Sequence, residues 1–367
     1  MQTVKARGEM TEKLNLSGSE KLYLALKGVY ESFGYAPYKM RRFEEYSLYA
    51  DNLNFLRSRD VITFGDKNGR LLALKPDVTL SIVKNCAGGG LKKVYYRESV
   101  YRPEAYGGQF REIEQIGLEC VGDADGYAEA EVLTLAAESL KAIGCNCVLE
   151  LSHMGALAGI ARLCGRERLP EGLIACISSR NLHDMPAVCA ANGIDGNIAE
   201  GLRALLACEG DNAQRADILC KVFGASAECV AAAEGLRRAV KVAGDAGIAA
   251  EIDFTLTDDA DYYNGIIFRG YAAECPRAVL SGGRYDNLVK KFGAGSGGIG
   301  FAIYPAELEP YVSAARKSDA DVLLLYSEGA LPEDVLARVR AIISGGESVF
   351  AAVKAPQCGV FGRVEKM

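Results

Sequence analysis

Residues 154–249 constrain the fold of this chain more than any other stretch. They are rich in alanine, carry apolar residues at helical spacing and hold almost no strand signal. The text on either side differs, with alternating runs rich in valine, isoleucine and tyrosine. Strands, then a block of helices, then strands again describe a sheet-bearing unit interrupted by a helical insertion. The expected organisation is an α+β domain made of residues 1–153 and 250–315, a helical insertion at 154–249 and a partial α/β tail at 320–367.

Before the insertion, Leu22, Leu24, Leu26 and Val29 predict a helix over 20–33, closed by Gly34. Residues 38–44 and 70–74 read as strands, the second running into the turn Lys75-Pro76-Asp77-Val78-Thr79. Thr79 or Asp77 is placed to open a helix over 80–85. Residues 94–101 and 111–121 predict a hairpin, broken at Tyr106-Gly107-Gly108. A long amphipathic helix over 125–143 and a strand over 148–152 follow. After the insertion, strands are expected at 251–256, 263–271, 278–280 and 299–303. Ser281-Gly282-Gly283-Arg284-Tyr285-Asp286 reads as a turn into a helix, and 293–298 as a flexible glycine-rich connection. The tail offers a strand over 322–326, a helix over 332–343 and a strand over 349–353, a βαβ fragment too short for a full α/β domain.

Composition narrows the function. Of 367 residues, 49% are apolar and 25% charged, ordinary for a soluble globular protein. A net charge of −6 weighs against a large RNA as the main partner, because RNA is gripped by basic surfaces. No apolar run reaches the ~18 residues that span a bilayer, so no membrane partner is expected. Residues 1–16 are polar and charged, unlike a signal peptide, which points to a reducing cytoplasm. Cys176, Cys189, Cys208, Cys220 and Cys229 lie in apolar helical text, where cysteine acts as a small hydrophobe. Cys145 and Cys147 form a CxC with no second Cys/His pair at zinc spacing, so buried strand cysteines are expected and no metal. His153 and His183 are the only histidines, which leaves little material for histidine-based chemistry.

The hairpin carries the densest polar chemistry. Gln115, Gly117 and Glu119 share one face of its second strand, and Arg102 ends the first. Arg102 suits a carboxylate or phosphate through a two-pronged contact, and Gln115 and Glu119 suit an amine or imidazole N–H. Such a set makes an amino-acid pocket; taken alone, it is more often the pattern of a solvated polar sheet face.

The order of motifs decides between them. Lys75-Pro76-Asp77-Val78-Thr79, Tyr101-Arg102-Pro103-Glu104 with Gln115-Ile116-Gly117, Asp261-Tyr262-Tyr263, Gly282-Gly283-Arg284-Tyr285-Asp286 and Gly300-Phe301-Ala302 run in the order found in histidyl-tRNA synthetases. The chain resembles that family over roughly residues 20–310. The resemblance implies a mostly antiparallel class II synthetase-like sheet with flanking helices. It also implies a histidine pocket. There Asp77 and Thr79 take the α-amino group, Arg102 faces the carboxylate, and Gln115 and Glu119 help hold the amine and the imidazole. Tyr263 and Tyr285 line the ring, and Tyr262 adds a wall.

The departures are equally informative. The family has arginines at the positions of Asp258 and Glu307, where they handle ATP and the activated carboxylate; acidic residues there repel the same charge. The motif 1 proline stands as Arg41, and the loop at Tyr106-Gly107-Gly108 is short and lacks basic residues. The anticodon-binding domain is at best half present after Ala320. This combination resembles the regulatory-subunit family of ATP phosphoribosyltransferase, a catalytically silent branch of the synthetases. It implies no catalytic residues and no cofactor, and a homodimer through the N-terminal helix and motif 1 region. It further implies assembly with the short-form catalytic subunit in the first step of histidine biosynthesis, and free histidine as effector. Two alternatives stay open: a divergent histidyl-tRNA synthetase, and a free-standing amino-acid-binding paralogue.

Overall fold

Ser17 opens the first helix by a reciprocal cap. Its hydroxyl accepts the Glu20 N–H while the Glu20 carboxylate accepts the Ser17 N–H, which starts α1 (Gly18–Ser32). Leu22, Leu26 and Tyr30 recur four residues apart and are buried on one stripe. The computed structural model describes residues 17–56, 60–86, 90–103, 108–257, 262–273, 275–312 and 318–367. The chain divides into two compact units, Met1–Val312 and Ser313–Met367.

In the first unit the chain continues through β1 (Ala36–Pro37), β2 (Phe43–Glu45), α2 (Tyr46–Ala50), β3 (Thr63–Gly65), β4 (Leu71–Leu74) and α3 (Thr79–Asn85). The long hairpin β5 (Lys92–Pro103) and β6 (Phe110–Gly122) follows, then α4 (Gly126–Ile143) and β7 (Cys147–His153). Helices α5 (Met154–Leu163), α6 (Glu171–Ser178), α7 (Met185–Ala191), α8 (Gly196–Leu206), α9 (Asn212–Phe223) and α10 (Ala227–Asp245) fill the alanine-rich stretch. The chain then returns through β8 (Ala249–Ile252), β9 (Ile266–Ala272), β10 (Leu280–Arg284), α11 (Asp286–Lys291), β11 (Gly297–Ile303) and α12 (Pro305–Val312).

One eight-stranded sheet, ordered β1-β5-β6-β11-β10-β9-β7-β8, forms the centre. Its inner pairings are antiparallel; only the edge strands β1 and β8 pair in parallel. A small sheet, β2-β4-β3, lies beside it. The apolar residues of the inserted helices, such as Leu173, Met185, Leu202 and Phe223, belong to the same buried cluster as Leu118 and Phe301 of the sheet. The insertion therefore has no core of its own. Among the described residues, no helix is long and apolar enough to cross a membrane.

The second unit holds β12 (Ala320–Leu325), α13 (Pro332–Ser344), β13 (Val349–Ala352) and β14 (Phe361–Lys366). All three strands are parallel, in the order β13-β12-β14. The βαβ expectation for this tail misses β14. That strand reads Phe-Gly-Arg-Val-Glu-Lys and is mostly exposed, so it carries little apolar signal.

Three other expectations are corrected. The single strand over 38–44 is two short strands, because Ala36–Pro37 joins the edge of the main sheet and Phe43–Glu45 joins the small one. Between them the Met40 N–H is spent on the Glu98 carboxylate at 3.0 Å. Ser281-Gly282-Gly283-Arg284 is strand, not turn. A Cβ on Gly282 would stand 2.4 Å from the Gly300 carbonyl, so the glycine lets two strands close up instead of bending the chain. The strand expected over 251–256 stops at Ile252, where the Asp253 carboxylate takes the Thr255 N–H in a turn.

Candidate functional site

The centre of the sheet carries a hollow of about 370 Å³, measured to include its open mouth. All eight residues singled out from sequence line it: Asp77, Thr79, Arg102, Gln115, Glu119, Tyr262, Tyr263 and Tyr285. They come from the turn before α3 and its first residue, both strands of the hairpin, the chain before β9 and the residue between β10 and α11. Tyr96, Ser281, Gly300, Phe301, Ala302 and Tyr304 complete the lining, and none of the six was expected as a pocket residue.

The turn before α3 fixes the first wall. Asp77 Oδ1 accepts the Leu80 N–H at 2.8 Å, satisfying an open donor of the first helical turn. The side chain that caps the first turn is thus that of Asp77, one residue before the N-cap position at Val78, and Thr79 is the first helical residue, its hydroxyl turned to the pocket. Asp77 Oδ2 faces Arg102 Nη2 at 3.3 Å, and Arg102 Nε donates to the Pro76 carbonyl at 2.6 Å. The guanidinium is thereby oriented, and its fork has further N–H groups for a ligand anion. Just before this turn, Lys75 is buried against the Glu98 carboxylate, and the Lys75 carbonyl accepts the Tyr101 N–H at 3.0 Å. These contacts tie the turn to the end of β5 that carries Arg102.

Glu119 forms the floor. It is 2% exposed. Thr79 Oγ1 donates to one oxygen at 2.5 Å, and the Tyr285 hydroxyl makes a short hydrogen bond to the other. Burial pushes the carboxyl up to about 8; the two hydroxyl bonds oppose this and the nearby Asp77 charge adds to it. Desolvation prevails, so near neutral pH this floor is largely uncharged until a cation arrives. Glu119 pairs in register with Gly300 of β11. A Cβ there would lie 1.8 Å from Glu119 Oε2, so the carboxyl occupies the space a side chain would take.

Aromatic rings close the rest. Tyr262 and Tyr263 meet edge to face at 4.6 Å, and Tyr262 and Tyr285 lie 5.8 Å apart. Burial, then the neighbouring acidic charges, raise the phenols of Tyr262 and Tyr285 well above the ordinary range, which keeps them neutral donors. Tyr96 lies across Gly117, where a Cβ would meet its hydroxyl at 2.5 Å. A glycine inside a predicted strand marks such an approach, and Gly117 was the one sequence signal for Tyr96.

Glu307 sits in the first turn of α12, outside the pocket lining. Its Oε1 lies 3.2 Å from Arg277 Nη1, and Arg277 is mostly exposed. Asp258 and Glu104 fall outside the described residues. Among the described residues no group of acidic, histidine and cysteine side chains is arranged to hold a metal ion.

The similarity of the chain to known proteins bears on the same region. A family model described as histidyl-tRNA synthetase matches residues 16–308. The chain is 31% identical to an ATP phosphoribosyltransferase regulatory subunit of Symbiobacterium thermophilum over 298 residues, 77% of this chain and 73% of that one. It is 28% identical to a histidine–tRNA ligase of Methanocaldococcus jannaschii over 289 residues, 76% of this chain and 68% of that one. A solved structure from Bacillus halodurans C, described as an ATP phosphoribosyltransferase regulatory subunit/histidyl-tRNA synthetase, shares the fold. Its TM-score is 0.78 at 21% identity, covering 95% of this chain and 93% of that one.

Proposed function

This chain belongs to the histidyl-tRNA synthetase family and, within it, to the ATP phosphoribosyltransferase regulatory subunits, and from that premise we propose that its pocket senses free histidine without activating it. The observation that carries the reading is the division of charge in the pocket. Arg102, held by Asp77 and Pro76, presents a cation to a carboxylate; Asp77, Thr79 and Glu119 present acceptors to an amine. A zwitterionic amino acid matches both. Tyr263 and Tyr285 are walls for an imidazole ring, and Gln115 adds an amide. Arrival of an ammonium group beside Glu119 favours its charged form, so binding releases a proton and strengthens as pH rises toward 8.

The same chain lacks cationic help for ATP where the family resemblance expects it. Glu307 is an acid paired to a surface arginine, and an anion there would be repelled. The protein therefore acts through a partner, the catalytic subunit of ATP phosphoribosyltransferase, whose activity it switches on and makes responsive to histidine. Such coupling needs only a binding site and an interface whose free energies depend on each other.

The test is phosphoribosyl-ATP formation by a short-form catalytic subunit from the same source, with and without this chain, then with added histidine. Activity that needs the chain and falls with histidine is the expected result. The likeness to a histidine–tRNA ligase and the retained Arg102 sustain a second reading, a divergent synthetase. Histidine-dependent ATP–pyrophosphate exchange by the chain alone would establish that reading and overturn the first.

A further inference from the structure

The CxC at the start of β7 plays no part in the pocket. Helix α4 ends at Gly144 in the left-handed conformation (φ 82°), Cys145 lies in a bend, and β7 begins at Cys147. Residues two apart in near-extended chain place their side chains on one side. The two Sγ atoms stand 3.8 Å apart, and both residues are half-buried. A modest side-chain rotation brings such thiols to bonding distance. Cys147 also donates to the Leu140 carbonyl at 3.6 Å, a weak bond that pairing with Cys145 would give up.

We propose that Cys145 and Cys147 are a redox-active pair that closes to an intramolecular disulfide on meeting a low-molecular-weight disulfide such as oxidised glutathione. The Cys145 thiolate attacks one glutathione sulfur, breaking its S–S bond and releasing one glutathione thiolate. Cys147 then attacks the Cys145 sulfur of the mixed disulfide and expels the second glutathione, its proton passing to the leaving thiolate. Two protein thiols are oxidised and one glutathione disulfide is reduced to two thiols. The Cys147 thiol is engaged by the Leu140 carbonyl, and burial and the neighbouring Cys145 push it up to about 12; both favour Cys147 in the resolving step. The ring so closed spans a single intervening residue, Asn146, and restrains little of the unfolded chain. The pair is thus a reversible mark and not a structural staple.

Peptide mapping tests this directly, because a tryptic peptide over residues 142–162 holds these two cysteines and no other. The full chain is equilibrated in glutathione buffers of rising oxidised fraction, blocked with iodoacetamide and digested without reduction. The expected peptide has lost two hydrogen atoms and carries no alkyl group, and prior treatment with dithiothreitol restores two alkylations. In a Cys145→Ser variant, Cys147 stays alkylated across the series, with thermal unfolding showing that the variant is folded. Alkylation of both cysteines at every buffer ratio would overturn the proposal. So would a Cys147–Cys275 link, or glutathione retained on either residue as the end product.

Discussion

Two glutamates border the same strand and live in opposite environments. Glu119 lies across from Gly300 in β11, buried and bonded to two hydroxyls. Glu307 follows that strand in α12 and spends its charge on the exposed Arg277. The first is held near neutrality, available to a cation that enters the pocket. The second is ionised and paired, so it supplies no free cation to an anion. The difference teaches that residue type alone does not set function here. One carboxyl lines a buried hollow and is bonded to two hydroxyls, and the other is paired with an arginine near the surface.

The sharpest way to break this comparison is to remove the ability of Glu119 to ionise. Its folded-state pKa is raised from 4.5 to about 8. The carboxyl's contribution to stability is therefore fully present below 4.5 and is lost as pH rises through 8. Across that window the loss runs at about 1.4 kcal/mol per pH unit. Glu119→Gln, compared with the parent by urea unfolding, should gain on the order of 3 kcal/mol in relative stability between pH 5 and pH 8. A difference that is the same at both pH values would show that Glu119 is not held protonated.

Gly300→Ala comes next. Its Cβ would meet Glu119 Oε2 at 1.8 Å and the Leu118 carbonyl at 2.4 Å, so unfolding should report a loss of roughly 1–3 kcal/mol. In a Glu119→Ala background the penalty should shrink without vanishing, because the Leu118 carbonyl is backbone. Full additivity of the two substitutions would mean that they do not touch. The smallest effect belongs to Arg277→Ala. An exposed pair of this kind is worth about 0–1 kcal/mol, and raised salt should erase even that. A loss as large as that at Gly300 would place the Glu307 pair in the interior.

These contrasts also mark what was legible in the sequence. The eight pocket residues were, because each sits in a short motif whose order fixes its place. The helical insertion was, because helical periodicity over a long stretch leaves no alternative. Cross-strand register was not. Nothing near Glu119 in the chain announces that Gly300 lies opposite, or that Ser281 sits in a strand and faces the same hollow. Tyr304 lines the pocket only because β11 ends beside it, a fact of three dimensions. Strand β14 escaped notice because exposed edge strands need little apolar text.

The central claim is a pocket that binds an amino acid and yields a proton as it does so. Titration calorimetry of free histidine into the full chain near pH 7, in buffers of different ionisation heat, tests it directly. The account predicts saturable binding with proton release that disappears in Glu119→Gln. No saturable binding in any buffer, or the same proton release in the variant, would contradict it.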